Sequence, residues 1–409
     1  MLFMRYSKLF GKTTKNIPKD EVSLNAKLLI QAGYVDKLMS GSYSLLPLGR
    51  LVELKLEQIV REEMNKIGSE EILMPLMHPK SIWNETGRWD KAKDIMYQLE
   101  KDGKEYAISF THEEIFLDLV RKHSQSYRDF PILAYHFSTK FRNEPRAKSG
   151  ILRCREFIMK DLYSAHLTEK ELDEFYWKVA DAYKLIFERV GLETKVVESG
   201  GGVFTENITH EFQVLCDTGE DLIFYCEKCD FAQNKEIAKV KEGDKCPKCD
   251  GKIEVSNGIE VGNIFRFGTL YSEKMNAFAI DKNNKKQFVH LGSYGIGITR
   301  LMGTLVEVGS DEKGIVWPEN VAPFKAHLVG LDKEKSDKVY AELIKAGVEV
   351  LYDNREASPG EKLADCDLIG IPYRLVVSQK SGDKIELKKR GDEKTDLLSL
   401  DEIIKKLMP

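Results

Sequence analysis

The chain has 409 residues, 42% hydrophobic and 31% charged, enough for two or three domains. Lys+Arg 62 against Asp+Glu 66 leaves a net charge of -4, which excludes a wholly cationic surface but not a local basic groove. No apolar run approaches the roughly 20 residues of a membrane span, and MLFMRYSKLFGKTTKN holds no long apolar leader core. A soluble cytoplasmic protein is expected, with no membrane partner.

Residues 48–66 place Leu51, Leu54, Leu56, Ile59, Val60 and Met64 at helical spacing and predict an amphipathic helix of about five turns. Gly68 ends it, and residues 71–75 read as a short buried strand closed by Pro75. Residues 132–141 and 154–164 read as strands around the polar loop 142–153, so a long antiparallel hairpin is expected. Residues 169–189 predict a helix with Leu172, Phe175, Tyr176, Val179, Tyr183 and Ile186 on one face. Residues 287–293 read as a strand, 295–308 as a helix opened by glycines, and 317–323 (WPENVAP) as a linker. Strand-like runs at 325–331, 347–352, 373–378 and 384–389 then alternate with helices such as 333–346 and 400–407, which predicts a small α/β domain.

Three constellations carry chemistry. Phe141-Arg142-Asn143-Glu144, followed by Arg153 and Arg155-Glu156-Phe157, offers a guanidinium clamp for phosphate or carboxylate and an aromatic face for a planar base. A charged hairpin tip with one ion pair would leave the same pattern. Gly292-Ser293-Tyr294-Gly295-Ile296-Gly297-Ile298-Thr299-Arg300 lets backbone approach a ligand and adds a fixed cation, although close packing explains such glycines equally well. It has neither dinucleotide-fold nor P-loop spacing. Cys226-x-x-Cys229 and Cys246-x-x-Cys249 have the spacing of a four-cysteine zinc ribbon, a closed and therefore structural metal site, with reduced or redox thiols as the alternative. Cys154, Cys216 and Cys366 stand singly and are expected to be ordinary buried residues.

Taken in order, the helix–Gly68–strand–Pro75 unit, the Arg142 hairpin and the Ser293–Arg300 segment resemble the three signature motifs of class II aminoacyl-tRNA synthetases. Ser109-Phe110-Thr111-His112-Glu113-Glu114, residues 157–164 (FIMKDLYS), 208–213 (ITHEFQ) and 258–265 (GIEVGNIF) narrow the likeness to prolyl-tRNA synthetases of the bacterial type. Asp353-Asn354-Arg355, Pro359-Gly360-Glu361-Lys362 and residues 368–372 (LIGIP) add to it. The resemblance covers nearly the whole chain apart from the cysteine insert.

The resemblance implies an α+β fold: a class II antiparallel-sheet catalytic domain (residues 1–223 and 257–318), a zinc-ribbon-like insert (224–256) and an α/β anticodon-binding domain (319–409). It implies ATP-dependent activation of L-proline to prolyl-adenylate, then transfer to the terminal ribose of tRNA(Pro), with Mg2+ accompanying ATP, structural Zn2+ in the insert, and a homodimer through the first motif. Arg142 and Arg300 would be catalytic. ATP would meet Arg142, Glu144, Arg153, Phe157, Glu211, Gln213 and Arg300, with adenine between Phe157 and Arg300. Proline would meet Thr111, Glu113, Arg142, Met159, Asp161, Tyr163 and Ser293. Ser293 departs from the cysteine many bacterial relatives carry there. Arg355, Lys362 and Lys388 would touch the anticodon, although a solvated surface would also explain the Lys388-Lys389-Arg390 run. The insert holds only about thirty residues, too few for the editing domain of longer relatives, so no editing in cis is expected. Two rivals remain open: a paralogue that forms adenylates without charging tRNA, and a non-catalytic RNA-binding ribbon protein.

Overall fold

A computed structural model describes every residue except 1, 2, 18, 20, 146, 148, 203, 204, 206 and 409. The chain divides into two compact units, one of residues 57–147 and 152–301, the other of residues 1–56, 148–151 and 302–409.

The first unit is organised by a nine-stranded sheet, the expected antiparallel core of an α+β fold. Its centre is the hairpin Ile132–Phe141 and Glu156–His166, flanked by His290–Gly297 and the long strand Ile253–Gly268. Ile253–Gly268 pairs along its first half with Asp221–Cys226 and along its second half with Thr209–Leu215. Those two strands are joined through Ala232–Asn234 and Lys195–Ser199, so five strands close a small ring at this end of the sheet. Helix Glu169–Val190 covers one face. Its ends are written in the sequence: Thr168 and Glu171 form a reciprocal cap, and Gly191 stops the helix at φ 89°. Tyr176, Val179, Tyr183, Ile186 and Phe187 are among its fully buried residues.

In the register, Phe157 opposes Lys140, Met159 opposes Ser138, and Asp161 opposes His136. On the other side Asp161 opposes Gly295 and Tyr163 opposes Ser293. Alternation therefore puts Phe157, Met159, Asp161, Tyr163, Ser293, Gly295, His136, Ser138 and Lys140 on the face away from helix Glu169–Val190, with Lys160 on the helix side, where it donates to Tyr183 Oη.

The second unit holds a six-stranded sheet ordered Phe3–Arg5, Val350–Asp353, Ala326–Gly330, Tyr373–Val377, Ile385–Lys389 and Thr395–Leu398. Phe3–Arg5 runs parallel to Val350–Tyr352, so the N-terminal strand belongs to this sheet and not to the catalytic one expected for residues 1–223.

Several expected elements change. The helix Pro47–Lys66 buries Val52, Leu56, Ile59, Val60 and Met64, while Leu54 faces out. The strand expected at 71–75 is only Glu70–Glu71, because pairing with the hairpin ends at the bond from Ile72 N to Tyr135 O. The strand expected at 287–293 is two strands, Lys286–Phe288 and His290–Gly297, in different sheets. Gly295 and Gly297 are strand residues, and the helix begins at Ile298. A β-carbon at Gly295 would lie 2.3 Å from Met159 Cε and 2.9 Å from Asn263 Oδ1. The segment read as a linker is packed: Trp317, Val321, Ala322 and Phe324 are buried, and Trp317 Nε1 donates to Tyr34 Oη at 2.8 Å. Cys154 and Cys366 are buried as expected, but Cys216 is only half-buried.

Candidate active site

At one end of the sheet face stands Glu113, the first residue of helix Glu113–His123 and 2% exposed. Thr111 Oγ1 donates to both of its carboxylate oxygens at 2.7 and 2.8 Å, and Ser293 Oγ donates to Oε1 at 3.1 Å. Arg88 Nη1 completes the set at 2.9 Å from Oε2. Sequence reasoning found Thr111, Glu113 and Ser293 but missed Arg88, which lies 25 residues earlier in a short helix with no pattern of its own.

Beside it, Tyr163 Oη accepts from His112 N at 3.0 Å and its ring stacks on Phe116 at 5.5 Å, so Tyr163 is a buried wall. Asp161 is paired with Lys140 at 2.6 Å. Burial alone would raise the pKa of Asp161, but the Lys140 ammonium and His136 hold it well below the carboxylate range. His112, His136 and Asp161 bring their ligand atoms within 4.8 Å of one another. The Lys140 ammonium already supplies the positive charge there, so this group does not fit a metal ion.

Arg142 follows the hairpin strand on the same face. Its guanidinium stands 5.3 Å from the Phe157 ring centroid and donates to the Phe110 carbonyl oxygen at 3.4 Å. Among the described residues it has no ion pair with a carboxylate. Burial lowers its pKa, against the pull of Asp161. A desolvated guanidinium held by an aromatic ring and one carbonyl is a receptor for an anion.

Arg153 and Arg300 are held differently. Arg153 Nε lies 2.8 Å from Glu144 Oε2, and Arg153 also pairs with Glu220. An ATP contact by Glu144 or Arg153 would therefore exchange this pair for ligand. Arg300 donates through Nε to Leu152 O at 2.8 Å and through Nη1 to Glu260 Oε2 at 3.0 Å. Thr299 Oγ1 accepts from Ile158 N at 2.9 Å and ties the start of that helix to the strand of Phe157. Leu152, Arg153, Asp221, Gly258, Glu260 and Arg300 line one cavity of about 100 Å³.

Glu211 and Gln213 lie on Thr209–Leu215 beside it. Glu211 accepts from Ser199 Oγ at 2.8 Å and from Gln213 Nε2 at 2.9 Å, and Gln213 also donates to Asp221 at 2.9 Å. Burial, then the charge of Glu260, pushes Glu211 up to about 8. Glu260 and Asp221 were not singled out from the sequence. Glu260 lay within the quoted 258–265 run, but simple alternation assigns it to the wrong face. A bulge in the pairing of Phe212 and Gln213 with Gly262 and Glu260 turns it toward Arg300.

In the insert, Cys226 Sγ and Cys249 Sγ lie 3.6 Å apart, Cys229 Sγ and Cys246 Sγ 3.5 Å apart, and all four sulfurs within 4.8 Å of one another. Such edges match a tetrahedron of thiolates around a cation at about 2.3 Å.

The C-terminal cations are largely committed inside their own unit. Arg355 pairs with Asp353 and Asp365, each at 2.7 Å, and lies over the Tyr6 ring at 4.1 Å. Lys362 is 4% exposed and donates to Gly330 O at 2.6 Å. Both residues read as RNA contacts thus have partners inside their own unit, Lys362 buried and Arg355 half-buried. Lys388 remains half-exposed on Ile385–Lys389.

The antiparallel strands with Arg142, Arg300 and the carboxylates around them lie within the part of the chain that matches a class II tRNA synthetase core. Residues 97–309 match the tRNA synthetase class II core domain (G, H, P, S and T), and residues 321–408 match the anticodon binding domain. The chain belongs to the proline--tRNA ligase family of that class. It is 36% identical to the proline--tRNA ligase of a Wolbachia species, over 98% of this chain and 99% of that protein. It is 32% identical to that of Halothermothrix orenii, over 98% of both chains. The Wolbachia alignment runs over 418 positions and the Halothermothrix one over 558, more than this chain can fill, so the second relative carries a stretch without counterpart here. In fold, the chain is similar to a Giardia lamblia prolyl-tRNA synthetase solved with prolyl-adenylate (TM-score 0.76, 18% identity, 92% of this chain and 74% of that one). It is also similar to one from Cryptosporidium parvum solved with L-proline and AMP (TM-score 0.75, 18% identity, 94% and 76%).

Proposed function

We infer that this chain activates L-proline with ATP and passes the prolyl group to tRNA(Pro). The observation that carries this reading is the pairing, on one sheet face, of a pinned carboxylate, Glu113, with a guanidinium, Arg142, that no carboxylate among the described residues neutralises. Free proline brings the complementary charges, a secondary ammonium and a carboxylate. Met159, Asp161 and Tyr163 supply the wall between them, with the Asp161 charge already met by Lys140.

In the first step a carboxylate oxygen of proline attacks the α-phosphorus, and the bond to the bridging oxygen breaks to release pyrophosphate. Two anions must meet, so the residues that count are fixed cations. Arg142 would hold the attacking carboxylate and the α-phosphate, Arg153 the outer phosphates, and Arg300 with Phe157 the two faces of adenine. Glu144 would take the adenine amino group once released from Arg153, and Gln213 the ribose. Mg2+ bound with ATP offsets phosphate charge. Glu211 and Glu260, hard oxygen donors of which one is held protonated to about pH 8 by burial and by the other's charge, fit that ion.

The four thiolates of the insert fit Zn2+ in a closed structural site; metal analysis of the purified protein and of Cys226→Ser tests this. The ribbon replaces an editing domain, and rapid hydrolysis of alanyl-tRNA(Pro) would contradict its absence. Leu73 (81% exposed) and Met77 (61%) leave an apolar strip beside Phe137 that suits a second copy of the chain, so we expect a homodimer. No helix among the described residues is long and apolar enough to cross a membrane, which accords with work on tRNA in the cytoplasm.

The test is ATP–pyrophosphate exchange across a panel of amino acids, followed by charging of tRNA(Pro). Exchange with threonine or glycine but not proline overturns the substrate. Exchange without charging would favour an adenylate-forming paralogue.

A further inference from the structure

Arg88 is 5% exposed, and its guanidinium lies 4.9 to 5.6 Å from the ring centroids of Phe110, Tyr271 and Trp83. It donates to Glu113 Oε2 at 2.9 Å and to Glu114 Oε2 at 3.0 Å. Glu114 is itself fully buried and accepts from Thr86 Oγ1 at 2.7 Å. A carboxylate has about four acceptor positions. On Glu113, Ser293 takes a position on Oε1 and Arg88 one on Oε2, and the single Thr111 hydroxyl proton, within reach of both oxygens, fills a third. The direction left over is set by these partners. The charge count is also fixed: two carboxylates share one guanidinium in a place walled by aromatic rings, leaving one negative charge to be met.

We propose that Arg88 is the positioning residue that aims Glu113 at the ring nitrogen of proline, and that the Arg88–Glu113–Glu114 group selects ligands carrying one positive charge at that nitrogen. This rests on the reading of Glu113 as the acceptor for the proline ammonium. Both contacts run from Nη1, so the packing of the planar guanidinium among Trp83, Phe110 and Tyr271 sets where the charge stands between the two carboxylates. A lysine keeps the charge but lacks the planar body those rings hold, so it restores part of the function. Burial raises the pKa of Glu114, with the Arg88 charge opposing the rise and the Glu113 charge adding to it.

The experiment compares the full-length protein with Arg88→Lys, Arg88→Gln and Glu114→Gln. It measures proline-dependent ATP–pyrophosphate exchange, inhibition by (S)-tetrahydrofuran-2-carboxylate, whose ring oxygen replaces the ammonium, and thermal unfolding. Wild-type exchange with proline comes first; its absence removes the reading of the reaction before any variant is judged. Arg88→Gln is expected to raise the KM for proline about 30-fold or more. The KM for ATP should stay within about threefold, and the preference for proline over the ring-oxygen analogue should fall about tenfold. Arg88→Lys should lie between Arg88→Gln and wild type. A folded Arg88→Gln with unchanged preference overturns the proposal, as does an equal rise in both KM values. If neither Arg88 variant folds, Glu114→Gln decides. Loss of the surplus charge should weaken proline severalfold and leave inhibition by the analogue unchanged, and an unaltered KM for proline overturns the proposal.

Discussion

The catalytic sheet and the C-terminal α/β sheet both carry arginines that a sequence reader would assign to ligand, yet Arg142 on the first and Arg355 on the second are held in opposite ways. On the catalytic face, Arg142 has an aromatic ring and a carbonyl oxygen as its neighbours and, among the described residues, no carboxylate partner. In the C-terminal unit, Arg355 is closed by Asp353 and Asp365, Arg374 by Asp367, and Arg390 by Asp311. The first arrangement keeps a desolvated positive charge in reserve, at a cost in stability that ligand binding recovers. The second spends the charge on holding the domain together. Residue type is the same in both, and the difference lies in what else the fold brings within hydrogen-bond reach.

The comparison breaks most sharply at Arg142. Replacing it with alanine should lower proline-dependent exchange about 1,000-fold, since one donor aimed at a developing anion contributes about 10²–10³ in rate and the substrate carboxylate loses its partner as well. Thermal stability should stay level or rise slightly, because burial of an unpaired cation is relieved. A large fall in melting temperature would mean that Arg142 is structural after all. Arg355→Ala should do the reverse. Buried Asp353 and half-buried Asp365 lose their counter-ion, so unfolding should become easier by about 3 kcal/mol, while exchange at low temperature stays near wild type. Denaturant titration beside exchange assays separates the two outcomes.

How much of this was legible depends on range. The hairpin could be read from alternation and its polar tip, and with it Arg142, Phe157 and Asp161, because a two-residue period fixes which side chains share a face. The four-cysteine insert was equally plain, since its ligands arrive as two local knuckles. Arg88 could not be read, because nothing in residues 88–91 announces that they meet Glu113. Glu260 was hidden by a bulge that breaks the very period used to assign faces. Gly295 and Gly297 were taken for a helix start when the strand simply continues between two neighbours. The strip 317–323 reads as a linker because Pro318, Asn320 and Pro323 are turn residues, whereas the burial of Trp317 against Tyr34 is a contact 283 residues apart.

A smaller difference between the regions concerns protons. His327 is fully buried, and neither ring nitrogen has a hydrogen-bond partner among the described residues. Burial lowers its pKa to about 4, against the pull of Asp353. The folded state thus binds fewer protons than the unfolded chain, whose histidine titrates near 6.5. The stability due to a neutral His327 is complete above that value and is lost as pH falls toward 4, up to about 3 kcal/mol at the limit. His327→Phe, which can keep the ring packing on Tyr6, should flatten the decline between pH 6.5 and 4 in denaturant titrations. An equal slope in the variant would assign acid sensitivity to other groups.

The smallest effect is expected at Lys388, where the C-terminal sheet comes closest to the logic of the catalytic one. Lys388 pairs in register with Arg374 across Tyr373–Val377, but Arg374 is bound to Asp367 while Lys388 makes no ion pair among the described residues. It lines a cavity of about 290 Å³ with Lys389, Arg390 and Lys313, and with acidic residues that include Asp392 and Glu393. If this patch meets tRNA phosphate, Lys388→Ala should weaken tRNA(Pro) only a few-fold at moderate salt, because a single contact is removed from many. The diagnostic quantity is the salt dependence. One phosphate contact fewer should reduce the slope of log affinity against log salt by about 0.7 to 0.9. Arg355→Ala, assayed under conditions where it remains folded, should leave that slope where it was. Equal slopes in all three proteins would place the RNA contact elsewhere on this unit.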